Sequence, residues 1–211
     1  MTHLEIKLAL FNLSETVLPF NLTEANLPEI LLPAVQFLHI GDWDPRKAKD
    51  EENSCAIDLL EHIIAPLAVK LALNGRRHDY ADITKLHFPS LRHLILDGLA
   101  RGVQPHELAT RFPDIERLDC HFPLDIIIHI LAMPTFLDES GAPKTLFPKL
   151  KALAFKDPGR CSHGGLGVLE DIIKRESSGY PIQKLLVTKV FREHYGPEFM
   201  TKLQEHVEVE E

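Results

Sequence analysis

A recurring pattern of apolar and polar positions runs along the chain, and a proline opens each copy of it. Five segments read Pro-x-apolar-x-x-apolar-x-apolar, and a sixth copy is one residue shorter. These segments are 33–40, 66–73, 89–96, 113–120, 148–155 and 181–187. The last two apolar positions of each copy alternate with other residues, which is the period of a β-strand with one buried face. The pattern therefore predicts one strand per copy, with the proline at the strand entrance, where a missing N–H costs no ladder hydrogen bond.

The spacing of the copies indicates a repeat protein with repeats of uneven length. The prolines stand at 33, 66, 89, 113, 148 and 181, so successive copies are 33, 23, 24, 35 and 33 residues apart. A single strand of this kind cannot bury its apolar face alone, whereas stacked parallel neighbours share a continuous core. We therefore predict an α/β fold: an irregular leucine-rich-repeat solenoid, with a curved parallel sheet of about seven strands and with helices and loops on the convex side.

The prediction treats residues 1–211 as a single leucine-rich-repeat domain. The repeat strands are expected near 4–10, 35–40, 68–73, 91–96, 115–120, 150–155 and 182–187, with a C-terminal cap over 196–211. The alternative is a doubly wound α/β sheet, which also alternates strands and helices. The units of that fold are usually longer, and they lack a proline-phased apolar pattern.

Helices and loops are expected between the strands. Ile57, Leu60 and Ile64 are spaced for one face of a helix. Further helices are predicted at 105–112, 123–132 and 169–177 and from 197 onward, and loops are predicted at 42–53, 135–145 and 156–165. Since nothing precedes the first strand, we expect either further residues upstream or a second copy of the chain, in a homodimer, that pairs with its open edge.

The net charge and the cysteines argue against some classes of protein and favour others. The net charge is -8, which argues against a nucleic-acid or anionic-membrane binder, because such proteins need basic surfaces. No apolar run approaches the roughly 20 residues of a membrane-spanning helix, and no signal peptide is predicted at the N-terminus. The three cysteines, Cys55, Cys120 and Cys161, are an odd and widely spaced set. Reduced thiols are the simpler interpretation, and they favour the cytoplasm or the nucleus.

Residues that could carry chemistry are present but scattered. Two pairs could supply zinc ligands, namely Cys120 with His121 and Cys161 with His163. However, Cys120 occupies an inward repeat position, and no Cys-x-x-Cys pair occurs. The loop HGGLG at 163–167 precedes a predicted helix, as an anion-binding loop would, but it lacks a following Gly-Lys-Ser/Thr. We therefore expect no enzyme activity, no catalytic residues, no metal and no cofactor.

The residues that alternate with the core positions would face the concave side of the sheet. We expect this side to bind another protein or peptide, through Phe37, His39, Lys70, Asn74, His93, Ile95, Asp97, Arg117, Asp119, His121, Lys156, Lys184 and Leu186. One column of this face, from position 37 to position 184, is basic, and its neighbour is mostly apolar. A basic stripe beside an apolar stripe suits an acidic, partly apolar partner. A merely solvated sheet face is the alternative, and the sequence leaves both open.

The Phe-Pro-x-Leu-x-x-Leu repeats and the end of the chain together resemble a known family. Residues 169–187 read LEDIIKRESSGYPIQKLLV, and residues 203–209 read LQEHVEV. A helix, a short polar break, a last Leu-x-x-Leu strand, a helix and an acidic Val-x-Val tail follow one another in this order. The order resembles the leucine-rich region of fungal F-box proteins, over residues 30–211.

The resemblance implies a substrate receptor of a cullin-type ubiquitin ligase, in which the F-box holds the adaptor and the repeats hold the substrate. No F-box is found in this chain: LPEILL at 27–32 imitates its entry but runs straight into a predicted strand. A cullin-ligase adaptor is therefore expected as a partner only if an F-box lies upstream. The sequence leaves two hypotheses, a substrate-binding module of the F-box class and a stand-alone interaction scaffold with no connection to ubiquitin.

Overall fold

The structure is a computed structural model that describes residues 3–8, 29–42, 62–74, 87–97, 105–120, 135–137, 141–155 and 164–211. These residues form a mixed α/β structure with one large, open parallel sheet. The strands are β1 (His3–Leu8), β2 (Ile30–Leu31), β3 (Phe37–Asp42), β4 (Ile63–Ile64), β5 (Lys70–Asn74), β6 (His93–Asp97), β7 (Arg117–Cys120), β8 (Thr135–Leu137), β9 (Pro143–Thr145), β10 (Ala152–Phe155), β11 (Lys184–Val187) and β12 (Glu208–Glu210). The helices are α1 (Pro105–Arg111), α2 (Gly164–Ser177) and α3 (Lys189–Gln204).

The large sheet keeps the order of the chain from one edge to the other. Its eight strands run β1-β3-β5-β6-β7-β10-β11-β12, and every neighbouring pair is parallel. The sequence predicted about seven repeat strands and a C-terminal cap with an acidic strand over 207–211, and β12 lies within that cap as the eighth strand of the sheet. The pairs β2–β4, parallel, and β8–β9, antiparallel, lie outside this sheet.

A tight turn precedes most strands of the large sheet and explains where those strands begin. The N–H of Leu91 donates to the carbonyl of Phe88 at 3.1 Å, which closes a turn with Pro89 at its second position. Proline favours that position because its fixed φ matches the turn. The same bond closes the turns 32–35, 65–68, 112–115 and 147–150. The repeat strands after the first therefore start two residues later than predicted, at 37, 70, 93, 117, 152 and 184.

The inward positions of the sheet form continuous rows in register. One row consists of residues that are all fully buried, namely Leu38, Leu71, Leu94, Leu118, Leu153 and Leu185. The next row consists of Ile40, Leu73, Leu96, Cys120, Phe155 and Val187, and all of these are buried as well. The inward orientation predicted for Leu94, Leu96, Leu118, Leu153 and Leu185 is confirmed, because a period of two leaves only one face for these side chains.

The helices bury their apolar side chains against the same core. Leu108 of α1, Ile172 of α2 and Phe191 of α3 are almost completely buried in one cluster with the strand residues. Helix α3 begins after Thr188, whose side-chain oxygen accepts a hydrogen bond from the N–H of Phe191 at 3.3 Å. It is kinked at Gly196, where φ is 77°, and Pro197 opens its second half. The sequence predicted only this second half.

Two predicted elements between the strands are corrected by the structure. Ile64 was expected on a helix but lies in β4, which pairs in parallel with β2. Residues 135–145 were expected to be a loop, yet β8 and β9 pair there as antiparallel strands. The predicted helix 123–132, the zinc candidates His121, Cys161 and His163, and most of the predicted loops 42–53 and 156–165 lie outside the described residues.

Candidate binding face of the sheet

The residues that alternate with the core rows form the outer face of the large sheet, and they too stand in register. The first outer row is His3, Phe37, Lys70, His93, Arg117, Ala152, Lys184 and Glu208. The second outer row is His39, Ala72, Ile95, Asp119, Ala154, Leu186 and Glu210, and the backbone of Glu5 stands in register with His39. Lys7, Gly41, Asn74 and Asp97 follow in backbone register, and of these four the structure describes only the side chain of Asp97. The candidates His121 and Lys156 lie outside the described residues.

The centre of the outer face holds a cluster of three polar side chains around Asp119. Arg117 donates to this carboxylate through Nε, at 2.7 Å from Oδ1, and through Nη2, at 3.0 Å from Oδ2. Nε2 of His93, on the neighbouring strand β6, lies 3.0 Å from Oδ2 without the alignment of a hydrogen bond. Two donating groups on one guanidinium fix the carboxylate geometrically as well as electrostatically.

The protonation of Asp119 follows from this cluster. Its side chain is only 10% exposed, and burial by itself would raise the pKa of the carboxyl, because it disfavours the charged form. The contacts with His93 and Arg117 outweigh burial and lower the pKa from 3.8 to about 2. The same pairing raises the pKa of Arg117. Asp119 is therefore ionised at neutral pH, and its charge is neutralised within the face.

The C-terminal part of the outer face is also paired internally. Nζ of Lys184 lies 2.7 Å from Oε1 of Glu210 and 3.8 Å from Oε1 of Glu208, both on the edge strand β12. This pairing raises the pKa of Lys184 and lowers that of Glu210. The charge of Glu210 also acts on Arg117, across the two intervening strands β10 and β11. From β7 to β12, positive and negative groups of the face thus alternate and neutralise one another.

The N-terminal part of the outer face has a different character, because the described side chains around Phe37 are aromatic rings and one amine. Nζ of Lys70 lies 4.7 Å from the centroid of the Phe37 ring. The ring of His3 packs against Phe37 at 4.3 Å, and the ring of His39 lies parallel to it at 6.5 Å. Within the described part of the chain, no carboxylate oxygen lies within 4.0 Å of the Lys70 amine.

Sequence reasoning placed these residues on one face but missed how they pair. It treated the column from position 37 to position 184 as a basic stripe, whereas Arg117 and Lys184 are neutralised by Asp119 and Glu210. One signal was present in the sequence: Arg117 and Asp119 are two residues apart in a strand, which puts both on the same side of the sheet. The pairing of Lys184 with β12 depends on a strand neighbour that the repeat pattern does not identify.

Three further features of the described residues concern a thiol, metal ligands and a groove. Burial raises the pKa of the Cys120 thiol to about 12, so its reactive thiolate is suppressed at neutral pH. No group of three or more His, Cys, Asp or Glu that could hold a metal ion occurs among the described residues. A groove of about 290 Å³ lies between α1 and the β8–β9 pair, and apolar side chains such as Ala109, Pro113 and Phe136 line most of it.

The comparisons with known proteins provide no relative from which a role could be transferred. No protein-family model, curated protein or solved structure matches the chain. Among the helices in the described ranges, none is both long enough and apolar enough to cross a membrane.

Proposed function

We propose that the chain is an irregular leucine-rich-repeat solenoid that acts as a non-catalytic scaffold and binds another protein through the outer face of its large sheet. The observation that carries the proposal is the unbroken register of the outer rows from β1 to β12. Side chains from eight consecutive strands meet on one surface, which is how repeat proteins present an extended binding site. The cytoplasm or the nucleus is the compartment that we propose, because the cysteine usage favours reduced thiols.

Several features support the solenoid over a doubly wound sheet. In a doubly wound sheet the strand order reverses at a switch point, where ligands bind. Here the order of the large sheet rises steadily along the chain, and every step is parallel. The same proline-assisted turn also recurs before several strands, with N–H to carbonyl distances of 3.0 to 3.3 Å. Repetition of the same turn before successive strands is typical of a stack of similar structural units.

The partner that the face favours is an acidic, partly apolar peptide or protein surface. Half-buried apolar side chains such as Phe37, Ile95 and Leu186 stand on the outer rows, and Lys70 adds a cation that no described carboxylate neutralises. Apolar and cationic groups together suit a partner of opposite charge, and such complementarity increases the rate and the specificity of association. We propose such a partner for the F-box type of substrate receptor and for a stand-alone scaffold alike.

A capture experiment with matched variants tests the binding role. The chain would be immobilised and its partners identified by mass spectrometry from extracts, with Ile95→Glu/Leu186→Glu as the face variant. The control is Leu67→Glu/Leu137→Glu, which introduces the same charge at apolar positions that are 53% and 71% exposed elsewhere. We expect the face variant, but not the control, to lose the specific partners. Undiminished capture by a folded face variant would contradict the proposal.

The same experiment separates the F-box hypothesis from the stand-alone scaffold. We propose, from the family resemblance alone, that the chain is the substrate-recognition part of an F-box-type receptor. Capture is therefore repeated with the complete translation product of the gene beside the 211-residue chain. A cullin-ligase adaptor that copurifies only with the longer product supports the receptor. Shared partners without any adaptor support the scaffold.

A second copy of the chain is the other partner that one observation favours. Strand β1 lies at the edge of the large sheet, and edge strands present unpaired N–H and carbonyl groups. A homodimer that joins two β1 strands would continue the sheet. Sedimentation equilibrium of the wild-type chain and of Glu5→Pro, which removes an N–H donor from the open edge of this strand and not from its pairing with β3, tests this arrangement. A monomer at all concentrations would rule it out.

A further inference from the structure

The charges of the outer face are distributed unevenly between its two halves, and this unevenness indicates where a partner docks. In the half from β7 to β12, each cation that the structure describes in detail already has an acid of its own. Arg117 is held by Asp119 at 2.7 Å, and Lys184 is held by Glu210 at 2.7 Å. A partner carboxylate that binds either cation must first displace an intramolecular one, which offsets most of the gain.

Among the side chains that the structure describes, the half from β1 to β6 contains one lysine, Lys70, that has no acid of its own. Lys70 is half-buried, and its amine lies above the Phe37 ring, 4.7 Å from the centroid. Cation–aromatic contact of this kind orders the amine without neutralising it. The amine therefore keeps its capacity to receive a carboxylate, and it is already held in place before a partner arrives.

An apolar site lies directly beside this amine. Ala72 follows two residues after Lys70 on the same face, and its register neighbours are His39 and Ile95. Ala72 itself is only 7% exposed, so the apolar surface beside the amine is that of the half-buried Ile95 and Phe37 side chains. Burial of a partner's apolar side chain there is favourable, because the free energy gained increases with the apolar area that is removed from water.

We infer that Lys70, Phe37 and Ile95, around the buried Ala72, form the recognition point of the outer face, and that it takes an acidic side chain next to an apolar or aromatic one on the partner peptide. The inference rests on the binding role proposed above. The carboxylate binds the Lys70 amine, and the neighbouring apolar side chain packs on the side chains of Phe37 and Ile95. The cluster of Arg117, Asp119 and His93 supports the sheet and contributes little to affinity.

A titration followed by amide chemical shifts tests this inference on the full chain. The two probes are N-acetyl-Glu-Phe-amide and N-acetyl-Gln-Phe-amide, which have nearly the same shape and differ in charge. We expect saturable shifts at Phe37, Lys70 and Ala72, with affinity for the glutamate probe about two- to fivefold higher, the range of a surface ion pair. Lys70→Met should abolish that preference, whereas the matched variant Lys184→Met should retain it.

The contrary results are distinct from those that would refute the binding role itself. Equal affinities for the two probes, shifts centred on β7 to β11, or no saturable shift would each overturn the inference. The comparison of the two probes on the unmodified chain decides the matter even if Lys70→Met does not fold. Partner capture that depends on the outer face, combined with any of these three results, leaves the proposed function intact and refutes only the recognition point.

Discussion

The guanidinium of Arg175, buried within the core, donates a hydrogen bond of 2.8 Å to the backbone carbonyl of Phe147. Two further bonds, both of 3.2 Å, reach the carbonyl of Leu146. Phe147 has a φ of 47°, in the left-handed region that residues other than glycine rarely adopt. Helix α2 thus holds the turn before β10 through one side chain. Burial lowers the pKa of Arg175 to about 10, so it still carries its charge at neutral pH.

We predict that Arg175→Met destabilises the chain by about 2–4 kcal/mol, because two carbonyls in the interior lose their donor. The matched control is Lys174→Met, which removes a cation from an exposed position one residue earlier on α2 and should cost about 0.5 kcal/mol. Chemical denaturation of both variants measures these values. If the two variants lose similar amounts of the free energy of unfolding, the hydrogen bonds from Arg175 do not stabilise the fold.

Two leucines in different surroundings test the core register. Leu94 is completely buried between Leu71 and Leu118 of the neighbouring strands, whereas Leu67 is 53% exposed in the turn before β5. We expect Leu94→Ala to cost about 2–5 kcal/mol, through lost burial and the cavity that remains. Leu67→Ala should cost about 0.5 kcal/mol or less. Equal shifts of the melting temperature would contradict the assignment of the inner and outer faces.

The inward rows could be predicted because alternation along a strand fixes one face for each residue, as the Leu94 row shows. The strand starts were two residues early for a physical reason. The first apolar residue of each copy, for example Leu91, is buried in the turn and not in the strand. Burial alone gives the same apolar signal in either place, so the sequence does not distinguish them.

Elements that depend on distant contacts were not predictable from the local pattern. The first half of α3 lacks a clear apolar stripe, since Val190 is 57% exposed while Phe191 is buried, and the Gly196-Pro197 pair looks like a break. Strands β8 and β9 are defined by the hydrogen bonds that each makes with the other. Likewise, the neutralisation of Lys184 requires β12, a short strand outside the proline-phased repeats.

The thiol of Cys120 offers a test of burial at the end of β7. Burial, and then the nearby charge of Asp119, raises its pKa to about 12. At about pH 8 the reactive thiolate is therefore scarce, and the 4% exposure of the residue restricts access by reagents. We expect alkylation by iodoacetamide to be at least roughly 100-fold slower in the folded chain than in denaturant, as measured by mass spectrometry of the peptide that contains Cys120. Alkylation of this peptide at similar rates in both conditions would show that the thiol at the C-terminal end of β7 is accessible to reagents in the folded chain.

The charge of Asp119 predicts a specific dependence of stability on pH. Its pKa is about 2 in the folded chain against 3.8 as the ordinary value, so the folded state favours the ionised form. A lowered pKa stabilises the fold at pH values above 3.8, and this contribution is lost as the pH falls through the folded value. The difference between the two pKa values corresponds to roughly 2 kcal/mol.

We therefore expect Asp119→Asn to reduce the free energy of unfolding by roughly 2 kcal/mol near neutral pH. The gap between wild type and variant should narrow below about pH 4 and close near pH 2. Urea denaturation at a series of pH values measures this gap. The matched control is Asp114→Asn, where the pKa of the carboxyl is also lowered, chiefly by the hydrogen bond with Lys149, but the group is open to solvent. Solvent screens that surface pair, so the control should show a smaller gap near neutral pH. A gap for Asp119→Asn that stays constant from neutral pH to pH 2 would mean that the variant acts through packing and not through the ionised carboxylate between Arg117 and His93.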